Sequence, residues 1–171
     1  MDDLKKHIRD IPDFPKKGII FKDITTLLMQ PDAFRDAVEA IVKEYKDKKI
    51  DKVLAVEARG FIFGGAVACG LKAGFIPVRK KGKLPWKTNA ITYELEYGSD
   101  TLEMHHDAIK PGENVLIVDD LLATGGTVKA VTDLVKQFEG KIAGIAFLIE
   151  LSFLKGRDKL KEYPIHSLIT Y

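Results

Sequence analysis

Apolar residues along this chain follow two rhythms, one helical and one strand-like. Between Pro31 and Lys48, Phe34, Val38, Ile41, Val42 and Tyr45 return at helical spacing, and Arg35, Glu39, Lys43 and Lys46 occupy the rest of the wheel. That pattern predicts a helix with one buried face. Val53 to Val56 is a short unbroken apolar run, which suits a strand covered on both sides. Gly60 to Lys72 looks helical but holds several glycines, which predicts close packing against a neighbour. Phe75 to Val78 reads as a strand, followed by a basic loop from Arg79 to Thr88. Ile91, Tyr93, Leu95 and Tyr97 alternate with Thr92, Glu94 and Glu96, the signature of a half-exposed strand. Gly98-Ser99-Asp100 marks a turn, and Thr101 to His105 supplies the other arm of a hairpin. Val115 to Asp119 is the central strand. Val128, Val131, Leu134, Val135 and Phe138 give the next helix its apolar face, and Ile142 to Leu151 and Ile165 to Ile169 are late strands. Pro12, Pro15 and Gly18 argue against regular helix near the start of the chain.

Strands alternating with helices predict an α/β fold with a largely parallel sheet covered on both faces. Ligands of such sheets sit at the carboxyl ends of the strands. Glu57-Ala58-Arg59-Gly60, Arg79 and Asp119-Asp120 all fall there.

A chain of 171 residues suits one domain with one substantial core. A net charge of +2 is too near balance for a general nucleic-acid or membrane binder. The single cysteine, Cys69, rules out an intramolecular disulfide, and its apolar neighbours predict a buried thiol rather than a nucleophile. The opening Met1-Asp2-Asp3-Leu4-Lys5-Lys6 lacks the apolar core of a signal peptide, and no apolar run is long enough to span a bilayer. A cytoplasmic protein is expected.

Chemistry concentrates in Val115-Leu116-Ile117-Val118-Asp119-Asp120-Leu121-Leu122-Ala123-Thr124-Gly125-Gly126-Thr127. A buried strand leads into two carboxylates, then a small-residue and hydroxyl loop, then a helix. The helix start offers unpaired N–H groups and partial positive charge to a phosphate. The glycines permit close backbone approach. The aspartates accept hydrogen bonds from sugar hydroxyls or hold a magnesium ion through water. By itself Asp-Asp also reads as a cap for the next helix or turn. No Gly-Lys-Ser/Thr or Gly-x-Gly-x-x-Gly accompanies the loop, so it is neither a Walker loop nor a dinucleotide fingerprint. Taken singly, Arg59 reads as a surface charge, Phe21 as core, Glu96 as an exposed strand residue and Arg79-Lys80-Lys81-Gly82-Lys83 as a solvated basic loop. His105 and His106 are adjacent and point opposite ways in a strand, so with His7 and His166 they read as structural or exposed. Trp86, beside Pro85, sits at the base of the loop with no assigned chemistry.

The run from Val115 to Thr127 resembles the phosphoribosyl pyrophosphate signature of type I phosphoribosyltransferases, in the version found in adenine-specific members of that family. Phe14 to Ile24, Glu57 to Phe61, Arg79 to Pro85 and Leu95-Glu96-Tyr97-Gly98 fit the same family in order and spacing. The resemblance covers essentially the whole chain. It implies a mostly parallel central sheet flanked by helices, a small N-terminal hood within residues 1–30 and a flexible β-hairpin catalytic loop within residues 79–105. It implies that Ala123, Thr124, Gly125, Gly126 and Thr127 hold a 5-phosphate. Asp119 and Asp120 would face the ribose hydroxyls and stabilise charge growing on the ring. Glu57, Ala58, Arg59, Arg79, Lys80, Lys83 and Tyr97 would meet the pyrophosphate, with a strained and even cis non-proline peptide in the Glu57–Gly60 turn. Ile20, Phe21, Lys22 and Leu121 would receive adenine, Phe21 by stacking and Ile20 and Lys22 through backbone. Many relatives have arginine where Lys22 stands. Glu96 would handle the purine proton.

The resemblance further implies Mg2+ carried by the diphosphate and water rather than by direct protein ligands, with Asp119 and Asp120 reaching it only through water. It implies a homodimer in which the basic loop acts partly across the subunit boundary. The implied reaction converts adenine and phosphoribosyl pyrophosphate to AMP and pyrophosphate, in purine salvage, with no nucleic acid or membrane partner. Three alternatives stay open. These are the same chemistry on hypoxanthine, guanine or xanthine, a non-catalytic regulator that senses phosphoribosyl pyrophosphate, and a small nucleic-acid-binding domain using the basic loop.

Overall fold

A computed structural model describes residues 2–94 and 98–171 of the chain, Asp2 by its backbone alone. The elements are α1 (Asp2–Lys5), β1 (Arg9–Pro12), β2 (Ile20–Asp23), α2 (Thr25–Leu28), α3 (Pro31–Tyr45), β3 (Lys52–Val56), α4 (Gly60–Leu71), β4 (Gly74–Lys80), β5 (Thr88–Glu94), β6 (Ser99–His105), β7 (Asn114–Leu122), α5 (Gly126–Gln137), β8 (Lys141–Glu150), two 3-10 turns (Ser152–Leu154 and Gly156–Lys159) and β9 (Ile165–Thr170).

Seven strands form one sheet in the order β5-β6-β4-β3-β7-β8-β9. From β4 to β9 every neighbouring pair is parallel. At one edge β5 and β6 form an antiparallel hairpin, joined to β4 through Arg79↔Glu103 and Lys80↔Leu102. The chain leaves β3 toward β4 on one side, while β7 flanks β3 on the other. The crevice where those connections diverge is the usual ligand position in an open α/β sheet.

Alternation along the central strands divides the core. Val53, Leu116 and Val118 pack with Ala37, Ile41, Phe63 and Val67 from α3 and α4. Leu54, Val115 and Ile117 pack with Val128, Val131, Leu134 and Val135 of α5. Each such fully buried aliphatic side chain contributes about 1.5–3 kcal/mol over an exposed one. The α4 glycines mark where that helix meets the sheet, since a Cβ at Gly64 would stand 2.5 Å from the Ala55 Cβ.

Several boundaries differ from the sequence reading. Helix α3 stops at Tyr45 rather than Lys48, and its most buried line is Ala33, Ala37, Ile41 and Tyr45. Phe34, Val38 and Val42 flank that line, because small alanines are what allow close approach. Strand β7 runs through to Leu122, so Asp119 and Asp120 lie within a strand rather than at its end. Strand β4 includes Arg79 and Lys80, so the basic loop starts later than expected. Cys69, expected in the core, is exposed. The buried stripe of α4 is Gly60, Phe63, Gly64, Val67 and Ala68, and Cys69 falls off it. Among the described residues no helix is long and apolar enough to cross a membrane.

Candidate active site

Strand β7 ends in a three-residue link, and α5 begins at Gly126. Gly125 is its cap residue, left-handed at φ 76° and ψ 0°, and no side chain caps the helix. The first N–H groups of α5 therefore keep their donor capacity. They open onto a cavity of about 90 Å³ lined by Asp119 and by Leu121 through Val128. That is room for a group several times the ~30 Å³ share of a liquid water. The capping alternative for the aspartates is not what forms. Asp119 Oδ1 instead accepts a 2.9 Å hydrogen bond from the Asp120 backbone N–H.

The two carboxylates part company. Asp119 lines the small cavity. Its Oδ1 occupies the space a Cβ at Gly60 would need, 2.6 Å away, so the glycine opening α4 makes room for the acid. Asp120 is buried and lies 2.7 Å from Nη2 of Arg59. The guanidinium N–H is not aligned on that oxygen, and Asp120 Oδ2 has no hydrogen-bond donor among the described residues. Burial, reinforced by the charge of Asp120, pushes the Asp119 carboxyl well above the ordinary carboxylate range. Burial also raises Asp120, against the pull of Arg59. Both acids therefore favour a ligand that donates hydrogen bonds or carries positive charge.

Arg59 follows a cis Glu57–Ala58 peptide, the non-proline cis bond that the family resemblance led us to expect. Its guanidinium carbon sits 5.2 Å from the Phe21 ring centre. Phe21 belongs to the β1–β2 hairpin, in the segment whose prolines and glycine argue against regular helix, and Phe14 packs edge-on against it at 5.2 Å. The hairpin is tied down by Arg9, whose Nε and Nη2 donate to Asp23 Oδ2 at 3.0 and 2.6 Å. Thr25 N–H donates to Asp23 Oδ1 at 2.9 Å. These bonds hold the Asp23 carboxyl down at about 2, led by the Thr25 backbone bond. Ile20 is exposed beside Phe21. The Lys22 ammonium pairs with Asp10 at 2.7 Å and lies 3.8 Å over the Tyr171 ring. Its side chain is therefore an anchor of the hairpin, and its backbone is what remains for a ligand.

Glu57 organises the basic residues. Arg79 donates to its Oε2 from Nε and Nη2 at 3.1 and 2.9 Å, and the Lys80 backbone N–H donates to Oε1 at 2.6 Å. Arg79 Nη1 also donates to the Lys83 carbonyl at 3.2 Å. Although burial opposes it, the Lys80 and Arg79 bonds hold the Glu57 carboxyl below its ordinary value. Lys80 directs its ammonium to Asp100, 3.0 Å away, so its side chain leaves the group formed by Glu57, Arg79 and Lys83. Glu96 and Tyr97 lie outside the described residues. Among the described residues no group of three or more His, Cys, Asp or Glu side chains is arranged to hold a metal ion. His106 bonds Asn89 at 2.7 Å, and Trp86 meets His105 edge-on.

Two neighbours of the site escaped the sequence reading. Tyr93, read only as apolar, brings its hydroxyl to 3.4 Å from Thr127 Oγ1 and so sets β5 against the start of α5. Gly156 lies backbone to backbone with the loop. A Cβ there would stand 2.3 Å from the Ala123 carbonyl, and one at Gly125 would stand 2.5 Å from the Gly156 carbonyl. The only sequence signal was the glycine itself.

The sequence profile of the phosphoribosyl transferase domain family matches residues 23–167. An adenine phosphoribosyltransferase of Clostridium perfringens is 61% identical over 168 residues, 98% of either chain. The crystal structure of adenine phosphoribosyltransferase from Thermoanaerobacter pseudethanolicus superposes with a TM-score of 0.96 at 53% identity, covering 99% of both chains. The Saccharomyces cerevisiae enzyme was solved with D-2,5-dideoxy-2,5-imino-altritol 1,6-bisphosphate and adenine. It superposes at 0.91 with 43% identity, over 98% of this chain and 97% of that one. By sequence over nearly its whole length and by the mostly parallel, helix-flanked sheet, this chain belongs to the phosphoribosyl transferase family and has the type I fold.

Proposed function

We infer that the chain is an adenine phosphoribosyltransferase of purine salvage. It transfers the 5-phosphoribosyl group of phosphoribosyl pyrophosphate to N9 of adenine, giving AMP and pyrophosphate. The observation that carries this reading is the uncapped start of α5 beside two acids with raised proton affinity, half-buried Asp119 and buried Asp120, with Arg59 lying between Asp120 and the Phe21 ring. The whole chain acts as one domain, with residues 1–30 including its hood and residues 79–105 including its catalytic loop and hairpin.

The 5-phosphate sits on the N–H groups and hydroxyls of Ala123 to Thr127, a site suited to a dianion. The ribose hydroxyls donate to Asp119, which lines the cavity, and to Asp120 behind it. Adenine stacks on Phe21, with Leu121 beside it and the backbones of Ile20 and Lys22 along its edge. The bond from ribose C1′ to the diphosphate oxygen breaks, the diphosphate leaves with the electron pair, and C1′ bonds to N9. Positive charge growing on the ribose ring meets the two carboxylates, which are already fixed in place. Glu96 takes the purine proton, and Tyr97 covers the diphosphate. Arg59, Arg79, Lys83 and the Glu57–Ala58 backbone receive the diphosphate, joined by Lys80 once its ammonium leaves Asp100.

Carboxylate donors beside a diphosphate suit Mg2+, which keeps several waters and takes one or two carboxylates with substrate phosphates. A bound Mg2+ would supply charge neutralisation to the diphosphate, and Asp119 and Asp120 are the residues that would hold it, through water. A homodimer is the proposed assembly, as the family resemblance implies. The cytoplasm is the proposed location.

The test is release of pyrophosphate with Mg2+ and phosphoribosyl pyrophosphate, run in parallel on adenine and hypoxanthine. Turnover on adenine and little on hypoxanthine is expected. Turnover on hypoxanthine alone moves the base assignment, and turnover on neither removes the enzyme reading.

A further inference from the structure

The 3-10 turn Gly156–Lys159 is built into the wall of the phosphate loop. Backbone contact between Gly156 and Gly125 leaves no room for a side chain at either position. Arg157 locks the turn onto the sheet. Its Nε and Nη2 donate to Glu150 Oε1 and Oε2 at 2.6 and 2.7 Å. Nη1 and Nη2 also reach the Ile165 carbonyl and Ser167 Oγ, each at 3.3 Å. Arg157 thus makes four hydrogen bonds to the sheet, which anchor the backbone of the turn that carries the residue two positions on.

That residue is Lys159. Its Nζ lies 4.0 Å from where a Cβ would stand on Gly126, the first residue of α5. Lys129, Lys136 and Lys161 pair with Asp133, Glu162 and Asp158, whereas Lys155, at the start of the turn, has no carboxylate partner among the described residues. Lys159 has no carboxylate partner among the described residues. A cation at a helix N-terminus faces the positive end of the helix dipole, which is unfavourable without an intervening anion. A phosphate on the α5 amides removes that mismatch and gains a charge-assisted hydrogen bond.

We propose that Lys159 is a 5-phosphate ligand, held by the Glu150–Arg157 pair and the Gly156–Gly125 contact so that its ammonium closes on the phosphate from the side of the turn. This rests on the reading of the α5 start as the 5-phosphate site. Lys159 contributes to ground-state binding of every ligand that carries the 5-phosphate and to none that lacks it. Arg157 acts on the phosphate only through the placement of Lys159 and the loop.

The experiment compares wild type, Lys159→Gln and Lys159→Arg by calorimetric titration with AMP and with adenosine, and by KM for phosphoribosyl pyrophosphate and for adenine. Lys159→Gln is expected to weaken AMP about tenfold and to raise KM for phosphoribosyl pyrophosphate similarly, the scale of one exposed charge-assisted bond. Adenosine affinity, KM for adenine and Tm should hold, and Lys159→Arg should recover most of the loss. AMP affinity within about twofold of wild type, the effect of an ordinary surface change, overturns the proposal. Equal weakening of AMP and adenosine also overturns it, by making the turn a mere support. Wild type that binds AMP no better than adenosine fails differently. It removes the phosphate site itself, and the role of Lys159 with it.

Discussion

Asp119 shows how function and stability oppose each other at one residue. Its folded carboxyl holds its proton well above the ordinary value, chiefly because it is buried and secondly because Asp120 is charged. The folded state then binds more protons than the unfolded state as pH rises above about 4, and stability falls across that window. Asp119→Asn should raise the Tm of the ligand-free protein at pH 7, by up to about 2 kcal/mol of stability, and the gain should shrink as pH approaches 4. The same change should lower turnover severely. Thermal melts at pH 4, 5.5 and 7, paired with an assay, check both; a Tm at pH 7 below wild type contradicts the electrostatic assignment. Gly60→Ala probes the same acid sterically. The new Cβ would stand 2.6 Å from Asp119 Oδ1, so the carboxylate must shift. A displacement near 1 Å costs about a hundredfold in kcat/KM. Unchanged kcat/KM would show that the placement of Asp119 does not matter.

At the scale of elements, the β1–β2 hairpin is the piece that electrostatics holds. Arg9-Asp10-Ile11-Pro12 has no alternating apolar pattern, so periodicity had nothing to report there. What fixes the hairpin is Asp23, whose carboxyl is depressed to about 2 by Thr25 and Arg9. A depressed folded value contributes stability above the unfolded value near 3.8 and loses it as pH falls toward 2. Asp23→Asn should therefore destabilise by about 1–3 kcal/mol at pH 7 and by progressively less below pH 4. Because the hairpin carries Phe21, KM for adenine should rise more than KM for phosphoribosyl pyrophosphate. Equal stability loss at pH 2.5 and pH 7 would exclude the ionised carboxylate as the cause. Elements with strong periodicity were legible within a few residues. Strand β7 was cut short because Asp119 and Asp120 look like a strand end, yet the neighbouring β8 continues its pairing through Leu122↔Glu150.

For the whole molecule, the sheet class and the converging strand ends could be read from alternation alone, and the tight link from β7 to α5 from its glycines. Residues joined by distant chain segments could not. Gly156 matters because its backbone meets Gly125, and Tyr93 because β5 leans on α5. Neither contact leaves a mark in local sequence. Cys69 misled for a related reason, since an apolar neighbourhood in sequence does not say which side of a helix a residue occupies. The loop assembly is expected to be rigid. Gly125→Ala places a side chain at φ 76° and against the Gly156 carbonyl, so a stability loss of about 1–3 kcal/mol and loss of AMP binding should appear together. Full AMP affinity in that variant would argue against a preformed loop.

The decisive measurement is a crystal structure of the protein soaked with AMP. The phosphate is expected within hydrogen-bonding distance of the N–H groups of Gly125 to Thr127, with the ribose hydroxyls on Asp119 and Asp120. A phosphate bound instead among Arg79 and Lys83, or a vacant α5 start at saturating AMP, would contradict the assignment on which the reaction is built.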